Sequence, residues 1–221
     1  MAEPTVEVVL PCLDEAAALP AVIDAIHAID GMRALVVDNG STDGSPEVAA
    51  AHGARVVHEP RRGYGAAAHT GLVSATAEIV CVMDADGSID AAQLPELIEP
   101  VDSRRATLVT GRRVVTDLGG FPWHARAGNA LIAWMVRRRG VDVHDLAPVR
   151  VARRADLVEL DIRDRAFGYP LELLLRAGEA GWTLVEKPVR YLPRTAGTKS
   201  KVAGSVKGTA RAVRDMAQVL R

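Results

Sequence analysis

The feature that most restricts the fold is an alternation, in the first hundred residues, between short β-branched runs and Ala-rich helical stretches. Residues 6–10 precede a helical stretch at 16–29, 34–38 precede 45–52, 54–58 precede 64–75, and 79–83 precede 91–99. Repeated βα units with short connections predict a parallel sheet covered by helices on both faces. In such sheets ligands sit beyond the carboxyl ends of the strands. Those ends read Pro11-Cys12-Leu13-Asp14-Glu15, Asp38-Asn39-Gly40-Ser41-Thr42-Asp43-Gly44, Glu59-Pro60-Arg61-Arg62-Gly63 and Asp84-Ala85-Asp86-Gly87. Acidic and glycine-rich loops therefore converge on one edge.

The second half is less regular. Strands are expected at 108–110, 149–152 and 184–189, with helices at 125–139 and 171–180. A last helix is expected at 203–220, where Val202, Val206, Ala210, Val213, Ala217 and Leu220 share one face while Lys207, Arg211, Arg214 and Arg221 lie elsewhere. No internal repeat or low-complexity linker divides the chain, so residues 1–221 are expected to form a single α/β domain, its sheet mixed but mostly parallel.

The formal net charge of −1 conceals a division: residues 1–100 carry 4 basic and 16 acidic side chains, residues 101–221 carry 23 and 12. Two ends with different partners are the expectation. Aromatic residues make up only 4% of the chain, and the basic residues lack an aromatic platform, which argues against nucleic-acid binding. No apolar run approaches the roughly 20 residues that span a bilayer, and no segment of signal-peptide type stands at the N-terminus. Cys12 and Cys81 fall in or just after apolar runs and read as buried, reduced thiols of a cytoplasmic protein. Trp134 and Trp182 read as core or interface anchors.

Asp84 and Asp86 come directly after a strand, where two carboxylates can share a hard cation such as Mg²⁺ or Mn²⁺ and present it to a diphosphate. A turn with Gly87 behind it spells the same letters. Asp38, ending the second strand, can accept hydrogen bonds from a base or ribose, or the stretch 39–44 can be an Asx-type turn capping the next helix. Gly63-Tyr64-Gly65-Ala66-Ala67-Ala68 fits the dinucleotide pattern in letters. It follows the third strand rather than the first, so tight packing of a helix start is the better reading.

Taken together the residues resemble family 2 glycosyltransferases of the GT-A fold, and more narrowly the polyprenyl-phosphate sugar synthases related to dolichol-phosphate mannosyltransferase. The resemblance rests on the loops at 9–15 and 36–44, on Asp84-Ala85-Asp86, and on Gly111-Arg112, similar to a "G-x-R" element. Asp145-Leu146-Ala147-Pro148-Val149-Arg150 resembles "D-x-G-P/F-x-R", and residues 194–201 a terminal "R-x-x-G-x-S-K". It implies that Pro11, Leu13, Glu15 and Asp38 hold the nucleotide, with Asp84 assisting at the sugar nucleotide and metal. Asp86 would be the principal metal ligand, and Arg112, Arg126, Arg194 and Lys201 would bind phosphates of donor or acceptor. Ser88 and Ala147 depart from the family's pattern, as does the lack of a multi-helix membrane anchor.

The resemblance implies a metal-dependent, inverting transfer of a hexose from GDP-mannose or UDP-glucose to a polyprenyl phosphate. A phosphate monoester is already an anionic nucleophile; a hydroxyl acceptor would need a general base, for which Asp145 is the candidate. Residues 1–100 would form the nucleotide-sugar-binding half, 101–201 the acceptor half, and 202–221 an amphipathic helix able to lie on anionic lipid. The enzyme would meet the inner face of the membrane peripherally or through a membrane partner; self-association is left open. The rivals are transfer to a hydroxyl of a glycolipid or small molecule, and a non-catalytic nucleotide-sugar-binding scaffold at the membrane.

Overall fold

A computed structural model describes residues 4–115, 123–197, 214–216 and 219. Lys201 and most of the expected helix at 203–220 lie outside the described residues. Seven strands form one sheet: β1 Val6–Cys12, β2 Met32–Asp38, β3 Arg55–His58, β4 Ile79–Met83, β5 Leu108–Val115, β6 Val149–Arg153 and β7 Leu184–Tyr191. Their spatial order is β3-β2-β1-β4-β6-β5-β7. β3, β2, β1 and β4 run parallel, β6 runs antiparallel to both neighbours, and β5 and β7 run parallel to each other. The mixed, mostly parallel α/β sheet is thus as expected.

Successive strand residues face opposite layers. From β1, Val6, Val8, Leu10 and Cys12 enter one core with helices α1 (Leu19–His27), α2 (Ser45–Ala51) and α4 (Leu94–Asp102), while Val9 enters the other core. That second core contains residues of α3 (Tyr64–Ser74), α5 (Trp123–Arg137), α6 (Arg154–Glu159) and α7 (Tyr169–Glu179). α1, α2, α4 and α7 each carry Pro in the first two positions, where its missing N–H costs no helical bond. Cys12 and Cys81 are buried and free, and burial pushes their thiols up to about 11 and about 12. Among the described residues no helix is long and apolar enough to cross a membrane.

The largest differences from the expected elements are these. α1 starts at Leu19 rather than residue 16, β5 continues to Val115, and a short helix, α6, follows β6 directly. Trp134 is 47% exposed and therefore no core anchor.

Candidate active site

β1 and β2 end in register, Cys12 opposite Asp38, so the loops beyond them lie side by side. The backbone N–H groups of Asp14, Glu15 and Ala16 donate to Ser41 Oγ (3.0 Å), Ser45 Oγ (2.9 Å) and Asp43 Oδ2 (3.0 Å). Thr42 N–H donates back to Asp14 Oδ1 at 2.8 Å. These bonds take up the N–H groups of residues 14–16, and the helix begins only where Leu19-Pro20 can start it. Glu15 and Asp38 are buried, Pro11 and Leu13 half-buried.

Asp38 accepts the N–H groups of Ser41 (2.9 Å) and Gly40 (3.2 Å) and meets His58 Nδ1 at 3.2 Å. It therefore folds its own Asx-type turn. Burial pushes its carboxyl up, but the bonds from Ser41, His58 and Gly40 outweigh this and hold it below the usual carboxylate range.

Beyond β4, Asp84 is half-buried and Asp86 buried. Asp86 Oδ1 accepts Ser88 N–H at 3.0 Å, and Oδ2 pairs with Arg194 Nη1 at 2.9 Å. Arg194 arrives there because the chain leaving β7 crosses this loop: Leu192 N–H donates to the Ser88 carbonyl (2.9 Å) and Thr195 N–H to the Asp86 carbonyl (3.0 Å). At Gly87, with φ +77°, a Cβ would stand 2.4 Å from Thr195 Oγ1, so the crossing requires glycine. Burial, followed by the charge of Asp86, pushes the Asp84 carboxyl up, against the pull of Arg150, Arg113 and Arg194. Two hard oxygen ligands whose negative charges repel suit a divalent cation such as Mg²⁺ or Mn²⁺. Among the described residues no group of three or more His, Cys, Asp or Glu side chains is gathered for a metal. A cation on Asp84 and Asp86 would take its remaining ligands from phosphate oxygens and water.

Arg112, Arg126 and Asp145 meet in a cavity of about 240 Å³, with Arg113, Val115, Asn129 and His144 completing its wall. Asp145 does not have the form of a general base. Its Oδ2 accepts Arg113 N–H (2.8 Å) and Arg113 Nε (2.9 Å); its Oδ1 accepts Arg113 Nη2 (2.5 Å) and Ala147 N–H (3.0 Å). Burial raises its carboxyl, and the Arg113 guanidinium overrides that and lowers it. All four lone-pair directions are occupied and the group holds protons poorly, so Asp145 stands here as the ion-pair partner of Arg113.

Arg113 was not among the expected site residues, yet a Gly-x-Arg element beginning at Gly111 ends on Arg113, with Arg112 as its middle residue. Glu186 is a second omission. It accepts the N–H groups of His144 (2.7 Å) and Asp145 (3.1 Å), meets His144 Nδ1 at 3.0 Å and lies 3.5 Å from Arg112 Nε. Arg150 is a third: buried, it donates to the carbonyls of Leu146 (2.7 Å) and Ala147 and to Tyr64 Oη (3.1 Å). No local signal marks Glu186, since its partners lie about forty residues away in sequence.

The dinucleotide-like stretch at 63–68 is a packing device. A Cβ on Gly65 would stand 2.7 Å from Tyr169 Cβ, and the N–H groups of Gly65 and Ala66 donate to the carbonyls of Ala166 (2.9 Å) and Arg165 (2.8 Å). The start of α3 thus spends these N–H groups on the chain itself rather than on a pyrophosphate.

Comparison with known proteins gives the family and the fold. The profile described as "Glycosyl transferase family 2" matches residues 7–156. An uncharacterized glycosyltransferase of Mycobacterium tuberculosis is 54% identical over 221 residues, the whole of both chains. A polyprenol monophosphomannose synthase of Mycolicibacterium smegmatis is 31% identical over 219 residues, spanning 90% of this chain and 81% of that one. The crystal structure of glucosyl-3-phosphoglycerate synthase from M. tuberculosis, in complex with Mn²⁺, uridine diphosphate and glucosyl-3-phosphoglycerate, aligns with a TM-score of 0.78 at 22% identity, covering 98% of this chain and 78% of that one, and so shares its GT-A fold. The chain belongs to glycosyl transferase family 2.

Proposed function

We propose that this glycosyltransferase moves a hexose from a nucleotide sugar, GDP-mannose or UDP-glucose, to a polyprenyl phosphate. The observation that carries the reading is the state of the acceptor-side cavity. It presents Arg112, Arg113, Arg126 and His144, and its one carboxylate, Asp145, is fully engaged by Arg113 and Ala147. Such a pocket attracts an anion, and its carboxylate is not free to take a proton. A phosphate monoester is the nucleophile that fits best, because it arrives already ionised among three arginines, whereas a hydroxyl would first have to lose a proton, for which the pocket offers only His144, paired with Glu186. The similarity to a polyprenol monophosphomannose synthase supports the lipid as carrier of that phosphate.

On the donor side, Pro11, Leu13, Glu15 and Asp38 would hold the base and ribose in the paired loops, and Asp84 and Asp86 would hold Mg²⁺ or Mn²⁺ with the diphosphate. When bound, the cation supplies positive charge against the leaving nucleoside diphosphate. Arg194, now on Asp86, is placed to accompany that charge, and the arginines of the cavity orient the acceptor oxygen for a single displacement with inversion. The location follows from the substrate: a peripheral enzyme at the inner membrane face.

The test is incubation with labelled GDP-mannose or UDP-glucose, Mn²⁺ or Mg²⁺, and polyprenyl phosphate. A charged glycolipid should form, and chelation of the metal should stop it. Transfer only to a hydroxyl compound, or release of free sugar with no lipid product, would overturn the acceptor assignment.

A further inference from the structure

Helix α5 turns an unusual surface to solvent. Its inner side enters the core through Ile132, Ala133 and Val136. On the opposite side Ala127, Leu131, Trp134 and Arg138 follow one another at helical spacing, and all are exposed. Leu131 is 56% and Trp134 47% exposed. A helix on the flank of a globular domain ordinarily puts polar residues outward, and a large aliphatic residue beside an indole on that flank marks a contact surface.

The charges that α5 and the two residues after it carry have one sign. α5 carries Arg126 and Arg137 and no Asp or Glu, and Arg138 and Arg139 follow it. The Arg138 guanidinium lies over the Trp134 ring, 5.1 Å from its centre, so cation and aromatic share one surface. An apolar stripe with a tryptophan, rimmed by arginines, is the composition of a helix that lies in the headgroup layer. A second copy of the chain is a poor occupant, because a two-fold contact through this face would set arginines against arginines. The position fits as well, since Arg126 in the first part of α5 also lines the cavity assigned to the acceptor phosphate.

We infer that the outward face of α5, centred on Leu131 and Trp134 and rimmed by Arg138 and Arg139, docks the enzyme on an anionic bilayer surface beside its acceptor pocket. The inference rests on the lipid-phosphate reading for its purpose, but the contact is separable from it, because Leu131 and Trp134 do not line the cavity.

The experiment is co-sedimentation of the full chain with vesicles of equal parts phosphatidylglycerol and phosphatidylcholine, and with phosphatidylcholine alone. Binding should require the anionic lipid and weaken with salt. It should fall roughly five-fold for each charge removed in Arg138→Gln and Arg139→Gln, and about tenfold or more in the double variant Leu131→Ser/Trp134→Ser. Wild-type protein that stays in the supernatant, or a folded double variant that sediments like wild type, overturns the inference. Should the double variant fail to fold, the arginine variants decide alone, and undiminished binding by them overturns it. A double variant that turns a dimer into a monomer while keeping its vesicle binding also overturns it, by assigning the face to a second copy. Transfer to a short-chain, water-soluble polyprenyl phosphate without vesicles separates the two proposals. The double variant should retain that transfer. Wild type that transfers to no polyprenyl phosphate, yet binds vesicles through these residues, sinks the acceptor assignment and leaves the docking face standing.

Discussion

The two sides of the site edge are held together by opposite means. On the side proposed for the donor, side-chain oxygens of Ser41, Asp43, Ser45, Asp14 and Asp38 accept backbone N–H groups and join two neighbouring loops through many separate bonds. On the acceptor side, guanidinium groups do the joining: Arg113 holds Asp145, Arg150 holds the carbonyls of Leu146 and Ala147, and Arg194 holds Asp86. The acidic half thus builds its loops mainly from acceptors, whereas the basic half adds guanidinium donors to acceptors such as Glu186 and Asp145. Many bonds of moderate strength should fail one at a time, whereas a buried ion pair should fail as a unit, leaving its surviving charge uncompensated.

Asp86 is where the two systems meet, and its removal should have the largest effect. Asp86→Asn keeps the shape and the bond from Ser88 but loses the charge offered to a cation and to Arg194. Metal-dependent transfer should fall roughly a thousandfold, with circular dichroism unchanged. Turnover near the wild-type rate would mean that the carboxylate pair is only a turn.

The next largest effect sharpens the contrast directly. In Arg113→Met, Asp145 stays buried with two of its backbone donors and no counter-charge, for a loss of about 3 kcal/mol in urea unfolding. The pair is well shielded, with side chains 16% and 3% exposed. Arg113→Met/Asp145→Leu should recover most of that stability, because an apolar pair of similar volume leaves no charge behind. Equal losses in the single and double variants would show that the pair itself, and not the orphaned carboxylate, carries the energy.

On the donor side the corresponding cut is smaller. Ser45 is fully buried, donates to Asp43 Oδ1 at 2.5 Å and accepts Glu15 N–H at 2.9 Å. Ser45→Ala should cost about 1.5 kcal/mol, the loss of a buried donor's partner. The loop pair should remain closed on its other bonds, so the KM for the nucleotide sugar should rise while kcat changes little. A loss as large as that of Arg113→Met would erase the distinction between the two sides.

The same contrast explains what could be read from sequence. The residues proposed for the donor follow their strands directly, so strand periodicity and the rule that ligands gather at carboxyl ends bring Pro11, Leu13, Glu15, Asp38, Asp84 and Asp86 to one edge. The late start of α1 was hidden because the partners of residues 14–16 are the side chains of another loop, not of the helix itself. The acceptor side depends on pairings between distant segments: β6 inserts antiparallel between β4 and β5, and Asp145 and Glu186 find partners only through that register. Arg112, Arg126 and Asp145 were read there from the sequence, and of the residues missed Arg113 alone was legible. A strand continued to Val115 sends Arg112 and Arg113 to opposite sides, and the Gly-x-Arg spacing ends on the inner one.

Acid should weaken both sides with the same sign, and the smallest prediction concerns their shares. Asp38 and Asp145 each have a folded carboxyl below the ordinary value near about 3.9, the first through Ser41, His58 and Gly40, the second through Arg113, in both cases against the effect of burial. A lowered folded value means that the unfolded chain binds the proton more readily. The stabilisation is therefore complete above the ordinary value and is lost as pH falls through the folded one. Asp38→Asn should cost only about 0.5 kcal/mol at neutral pH, since the amide oxygen still accepts one turn N–H. It should also make the fall of unfolding free energy in acid shallower, leaving the part that belongs to other lowered carboxyls such as Asp145 and Asp43. Urea unfolding across the acid range measures both quantities. A slope unchanged by Asp38→Asn would assign the acid response to Asp145 and to Asp43, whose carboxyl, against burial, the bonds from Ser45 and Ala16 also lower, and the donor loops would then owe their closure to Ser41, Asp43 and Ser45 without help from the charge of Asp38.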